Sequence, residues 1–210
     1  MLSQIRAAAT LLGILTVLLG LLYPLAMTAI AGAVFHDRAT GSLVSRDGTA
    51  VGSSLIGQPF TQDGYLQPRP SAAGSGYDGS ASSGTNLAPT SAKLAERLTT
   101  DGEAMSQATG AALLPADAVT TSGSGLDPDV SPAFAEIQVA RIAGARGLPA
   151  ESVKRIIAEG TTGRTFGILG EPRVNVLAVN LALDAAAPKA EPGTAPRPGT
   201  PTASTAAPAG

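Results

Sequence analysis

The chain has 210 residues, with 14 Lys or Arg against 16 Asp or Glu, a formal net charge of −2 and no cysteine. It carries no basic stripe and only 3% aromatic residues, which excludes the electrostatic footprint of a nucleic-acid binder. The missing cysteines exclude a disulfide framework, a thiolate metal site and a cysteine nucleophile.

Ala7 to Phe35 is an uncharged run of 29 positions. A bilayer core needs about 20 apolar residues in a helix, so residues 1–35 are expected to form a retained transmembrane anchor. A cleaved signal peptide is the competing reading, since Arg6 is a short basic start and Ala31-Gly32-Ala33 has the form of a cleavage site. A signal core is about 7–15 residues long, and this run is roughly twice that. Pro24 does not argue against a span, because membrane helices tolerate proline. Gly13 and Gly20 are seven residues apart and share one face, which suits contact with a partner helix. No second run of this kind exists, so one helix carries one polar domain. Charge does not decide its orientation: Arg6 stands on one side, and Arg38 and Arg46 on the other. A Gly/Ser/Thr-rich domain with only three lysines leans toward the extracytoplasmic side.

Residues 36–184 are read as one α+β domain. A β-hairpin is expected within 40–60, turning at Asp47-Gly48, a favoured type I′ pair. Residues 67–90 are rich in Gly, Ser and Pro and are expected to form an ordered loop pinned by Tyr65, Leu66, Tyr77 and Leu87. Ser91 is placed to cap a helix carrying Leu94 and Leu98, with a break expected at Asp101-Gly102. Ser131 and Pro132 start another helix that runs to Gly147. Pro149 opens the next, which Gly160 ends. Val174 to Leu183 is β-rich and reads as a buried strand, with a helix as the alternative because the alternation is only partial. Residues 185–210 hold many Pro and Ala and no large apolar side chain, so they are expected to be a disordered tail outside the domain.

The motifs carry little chemistry. There is no Walker A sequence. Ser122-Gly123-Ser124-Gly125 offers backbone N–H groups to a phosphate, but it lacks the lysine and the following helix, and a structural turn is the stronger reading. The only histidine, His36, sits at the membrane boundary, far from any candidate nucleophile. Asp117, Asp127 and Asp129 lie near one another; Asp127, before Pro128, reads as a turn former. Arg69, held between Pro68 and Pro70, and Arg173, after Pro172, are set for carboxylate contacts. Each serves equally a partner's carboxylate or an internal one. Gln58, Asn86, Asn175 and Asn180 are amides suited to satisfying backbone groups. Two readings compete on this basis. One is an accessory subunit of a membrane complex. The other is an anchored enzyme or solute-binding module whose 67–90 and 120–131 loops form a pocket.

Four segments taken together carry a resemblance: GSSLIGQPF (52–60), YLQPRPSA (65–72) with GTNLAP (84–89), SGSGLDPDVSP (122–132) and GEPRVNVLAVNLALD (170–184). In this order, behind one membrane helix, residues 5–184 resemble the KdpC family, the C subunits of the bacterial Kdp potassium-transporting P-type ATPase. The resemblance implies a non-catalytic subunit of an inner-membrane complex. Its partners would be a potassium-binding, channel-like subunit and a P-type ATPase subunit. It would be needed for assembly and activity, and would act as a catalytic chaperone that raises the ATP affinity of the hydrolysing subunit. It also implies a cytoplasmic N-terminus and an extracytoplasmic domain. The chain has no D-K-T-G motif of its own. No cofactor is expected on the chain alone; ATP would be shared with the hydrolysing subunit. Candidate partner or nucleotide contacts are Gln58, Arg69, Ser71, Asn86, Ser122, Ser124, Asp127 and Arg173, with no catalytic residue and no metal ligand. The chain departs from the family pattern at Asp129, where His or Asn is expected, and in its Pro/Ala tail.

Overall fold

The computed structural model describes residues 1–187. Of the expected tail, residues 188–210 lie outside the described residues. Helix α1 runs without interruption over Leu2–Val34. One turn of it, Leu18–Leu22, is π-helical. This turn directly precedes Pro24, which has no N–H to give and whose ring crowds the carbonyl of residue 20. The wider π turn absorbs that mismatch and lets the helix continue. Among the described residues, α1 is the helix long and apolar enough to cross a membrane, and it is buried against nothing in the chain.

After the short turn α2 (His36–Ala39), strands β1 (Leu43–Arg46) and β2 (Thr49–Ser53) pair antiparallel. Asp47 and Gly48 both have positive φ, 52° and 78°, as the expected type I′ turn requires. The hairpin is tied to the domain rather than left free. Gln58 Nε2 donates to the carbonyl of Val51 at 3.0 Å, and Arg46 reaches Asp184 at 3.0 Å.

Helix α3 (Ala92–Thr109) follows the long loop. It does not break at Asp101-Gly102. A glycine inside a helix costs about 1 kcal/mol, which an 18-residue helix carries. Ser91 stands at the cap position without a side-chain capping bond.

Strand β3 (Asp129–Val130) leads into α4 (Pro132–Ile137), α5 (Val139–Arg146) and α6 (Ala150–Glu159). The start is as expected: Ser131 Oγ accepts from the N–H of Phe134 at 3.0 Å, and Pro132 needs no partner in the first turn. The expected single helix bends at Gln138 into α4 and α5 before ending at Gly147, which adopts a left-handed φ of 64°. Strands β4 (Thr161–Thr162) and β5 (Arg173–Asn175) complete a three-stranded antiparallel sheet in the order β3-β5-β4.

The expected strand over 174–183 is overturned. Only Arg173–Asn175 is extended; Val176–Ala186 is helix α7. Asn175 is the reason. Its Oδ1 accepts from the N–H of Ala178 at 3.0 Å, an N-cap that turns the chain from strand to helix. Beyond it the buried residues are Val176, Leu177, Val179, Asn180 and Leu183, a helical spacing. The helix runs two residues past the expected domain end at 184.

The core gathers Leu66, Phe134, Ile142, Val153, Val174, Val179 and Leu183. It therefore lies between α4, α5, α6, α7 and the small sheet. Two polar side chains are buried in it, Gln138 and Asn180. Each brackets one residue of the long loop. Asn180 Oδ1 accepts from the N–H of Leu66 at 2.7 Å, and its Nδ2 donates to the Leu66 carbonyl at 2.9 Å. Gln138 does the same at Gln67, at 2.8 and 3.1 Å. Two amides thus stand in for a neighbouring strand and fix where Pro68-Arg69-Pro70 leaves the core.

Candidate functional site

Arg69 emerges from that fixed point into a cleft of about 490 Å³. The turn at Ala116–Ala118 supplies Asp117. The stretch into β3 supplies Asp127, Asp129 and Ser131, and the approach to β5 supplies Glu171 and Arg173. The Asp-Pro-Asp sequence sets two parallel pairs. Asp127 Oδ2 takes Arg69 at 2.9 Å while its Oδ1 accepts from the N–H of Asp129 at 3.1 Å. Asp129 Oδ2 takes Arg173 at 3.2 Å while its Oδ1 accepts from Asn175 Nδ2 at 3.0 Å. Asp117 accepts from both the N–H and the hydroxyl of Ser131, at 2.7 and 2.9 Å, and so anchors the start of α4.

The guanidinium of Arg69 has further work. Nε and Nη2 donate to the carbonyls of Thr120 and Thr121 at 3.4 and 3.3 Å. The internal ion pair, open as one of two readings, is the one formed here. The carbonyl of Arg69 accepts from the Tyr77 hydroxyl. Burial pushes that phenol up to about 12, because the charged form would lose its hydration. We predict that Arg69→Lys destabilises the domain nearly as much as Arg69→Ala, by about 1–2 kcal/mol, since an ammonium cannot span the carboxylate and both carbonyls. Thermal melting of the two variants checks this; a Lys variant that melts with the wild type would contradict it.

Of the candidate residues, the cleft brings together Arg69, Asp127 and Arg173. The others lie elsewhere. Ser71 Oγ donates to the Gly125 carbonyl at 2.6 Å and accepts from the N–H groups of Ala73 and Tyr77. Ser122 and Ser124 turn their hydroxyls to the N–H groups of Gly125 and Leu126 at 2.9 and 3.1 Å. The carbonyl of Ser124 takes the Ser83 N–H at 2.9 Å. The two hydroxyls thus close this segment on itself as a turn and occupy the N–H groups of Gly125 and Leu126. Gly125 is required in it: φ is 68°, and a Cβ would meet the Ser83 carbonyl at 2.6 Å. Gln58 faces β2, and Asn86 is exposed at φ 51°. The 67–90 and 120–131 loops do meet: Ser71 bonds the Gly125 carbonyl, and Ser82 and Ser83 bond the Ser124 carbonyl, while the cleft lies at the Arg69 end.

Sequence reasoning noted Asp117 only for its nearness to Asp127 and Asp129, and passed over Glu171. Neither carries a motif signal, and only the fold brings them to the Arg–Asp pairs. Among the described residues no group of three or more His, Cys, Asp or Glu side chains is placed to hold a metal ion. The cleft carboxylates are tied to arginines, to backbone N–H groups or to the Ser131 hydroxyl. This is a surface that pairs charges.

A family model described as the K⁺-transporting ATPase c chain, KdpC, matches residues 5–185. The chain belongs to the KdpC family. A relative in Caulobacter vibrioides (strain NA1000 / CB15N) is 53% identical over 189 residues, covering 90% of this chain and 96% of the relative. One in Bradyrhizobium diazoefficiens is 50% identical over 201 residues, covering 90% and 100%. A third, in Beijerinckia indica subsp. indica, is 52% identical over 194 residues, covering 91% and 98%. Each is a "Potassium-transporting ATPase KdpC subunit". The four segments that carried the resemblance therefore lie within a match spanning α1 and the whole KdpC-like domain.

Proposed function

We propose that the chain is the accessory subunit of a Kdp-type, ATP-driven potassium uptake complex, anchored in the bacterial inner membrane by α1. The observation that carries this is the match to the KdpC family over residues 5–185. The polar domain, outside the cytoplasm in this reading, stabilises the assembled pump. It does no chemistry of its own. The partners are the potassium-binding, channel-like subunit and the P-type ATPase subunit.

Within the membrane, the face around Gly13 is the contact for a partner helix. Gly13, Ile14, Val17, Leu18 and Leu22 line an apolar groove of about 370 Å³ beside the π turn. A side chain of another helix fits there, because small residues let backbones approach. Gly20, the other residue expected on that face, does not line the groove.

Any rise in the ATP affinity of the hydrolysing subunit would then be transmitted through the partners. Most of the nucleotide-contact candidates already spend their polar groups internally: Arg69 on Asp127, Ser71 on Gly125, and Ser122 and Ser124 on their own turn. The test is purification from native membranes with a tag on this chain. The two partner subunits should co-elute and the eluate should hydrolyse ATP, whereas the isolated chain should not. A chain that elutes alone from membranes containing both partners would refute the reading.

A further inference from the structure

We propose that the loop between β4 and β5 is an anchor by which the polar domain docks into an apolar pocket with a polar rim on a partner subunit. The proposal rests on the subunit reading above and adds the surface that does the binding.

The loop presents Phe166, Ile168 and Leu169 at 89%, 76% and 57% exposure. These three large apolar side chains lie within four residues and stand outside the core of their own domain. The backbone holds them in place. Thr165 and Leu169 exchange both backbone hydrogen bonds, at 2.9 and 3.0 Å, and the Gly167 N–H donates to the Arg164 carbonyl at 3.0 Å. Arg164 and Glu171 close the base at 2.6 Å. Phe166 has a φ of 55°, a left-handed conformation that is uncommon and strained for a bulky residue. A rigid turn that strains an aromatic residue outward has no purpose in the isolated fold.

The area fixes what kind of contact this is. Three such side chains offer on the order of 400 Å², about half of the roughly 800 Å² that a stable interface takes from each partner. The loop is therefore the apolar centre of a larger contact. Its rim is the charged cleft, which shares Glu171 and Arg173 with the base of the loop. Apolar anchors ringed by polar groups are the anatomy of a protein interface.

Charge selects the occupant. Around the loop stand four carboxylates, Asp117, Asp127, Asp129 and Glu171, against Arg69, Arg164 and Arg173. Arg69 pairs with Asp127, Arg173 with Asp129 and Arg164 with Glu171, and Asp117 is bonded to Ser131; a charge-paired polar rim suits a protein interface and offers anionic lipid headgroups no unpaired basic residue. A membrane-inserting loop would carry unpaired basic residues at its base; here Arg164 is neutralised by Glu171.

The experiment uses the whole complex in native membranes, with a photoreactive phenylalanine analogue at position 168. Illumination should give a covalent adduct with a partner subunit. Adducts with lipid alone, or none, would overturn the proposal. In parallel, the full chain carrying Phe166→Ser and Ile168→Ser should recover at least about tenfold less partner subunit than wild type, with an unchanged melting temperature because both side chains are exposed. Wild-type recovery by that variant would also overturn it. Failure of the wild-type chain itself to recover partners would instead refute the subunit reading.

Discussion

Asp184→Ala is expected to lower the melting temperature of the polar domain by roughly 10 °C. Asp184 joins three parts of the fold. It accepts from Arg146 on α5 at 2.7 Å, from Arg46 on the hairpin at 3.0 Å and from the Tyr65 hydroxyl at 3.3 Å. The three contacts are unequal. Arg46 is half exposed, and its pair contributes little in water. Arg146 is 1% exposed, so its charge has no solvent to return to when the carboxylate is removed. Its guanidinium also lies 4.7 Å above the Tyr65 ring and donates to the carbonyls of Gly64 and Ala187. Those contacts hold it inside. Breaking one side of a buried pair costs about 3–5 kcal/mol, and each kcal/mol shifts a domain of this size by about 2–4 °C. Arg46→Ala should shift it by less than about 2 °C. Circular dichroism melts of both variants in detergent test the ranking; equal shifts would contradict it.

The second large effect is expected at Asn180→Leu. The substitution keeps the branched heavy-atom skeleton but removes both partners of the Leu66 backbone. Leu66 is fully buried, so its N–H and carbonyl would find no water. Each unsatisfied group costs about 1–3 kcal/mol, giving about 2–6 kcal/mol for the two. The damage should be local as well as global, because this bond sets the path of the loop into Pro68-Arg69-Pro70. Hydrogen exchange should become at least about tenfold faster at the Leu66 amide, and the Arg69–Asp127 pair should loosen with it. Unchanged exchange at Leu66 would show that the bracket is dispensable.

These two sites mark where the sequence stopped being readable. Local signals were legible: the 29-residue uncharged run, Asp47-Gly48, Ser131-Pro132 and Gly147 each specify a conformation through their own chemistry, and the structure has them where expected. Val174 to Leu183 was misread because its three valines were weighed above its three leucines and two alanines. The deciding residue was Asn175, whose capping role depends on a neighbouring N–H rather than on composition. The brackets at Leu66 and Gln67 join residues 114 and 71 positions apart, a separation that no local pattern encodes. The cleft was legible in part. Arg69 and Arg173 stood out through their prolines, and Asp127 through Pro128. Asp117 and Glu171 had no such mark. The serines of the Ser-Gly-Ser-Gly turn looked like ligand groups because a hydroxyl's internal partner is invisible in sequence.

The central claim is that this chain works through partners in a potassium-uptake complex. Rubidium or potassium uptake, measured at scarce external potassium, tests it most directly. The strain should lack this chain and every other high-affinity potassium system. Uptake and growth should fail without the chain, return when the full-length chain is restored, and become unnecessary when external potassium is abundant. Normal high-affinity uptake in the strain lacking the chain would contradict the account.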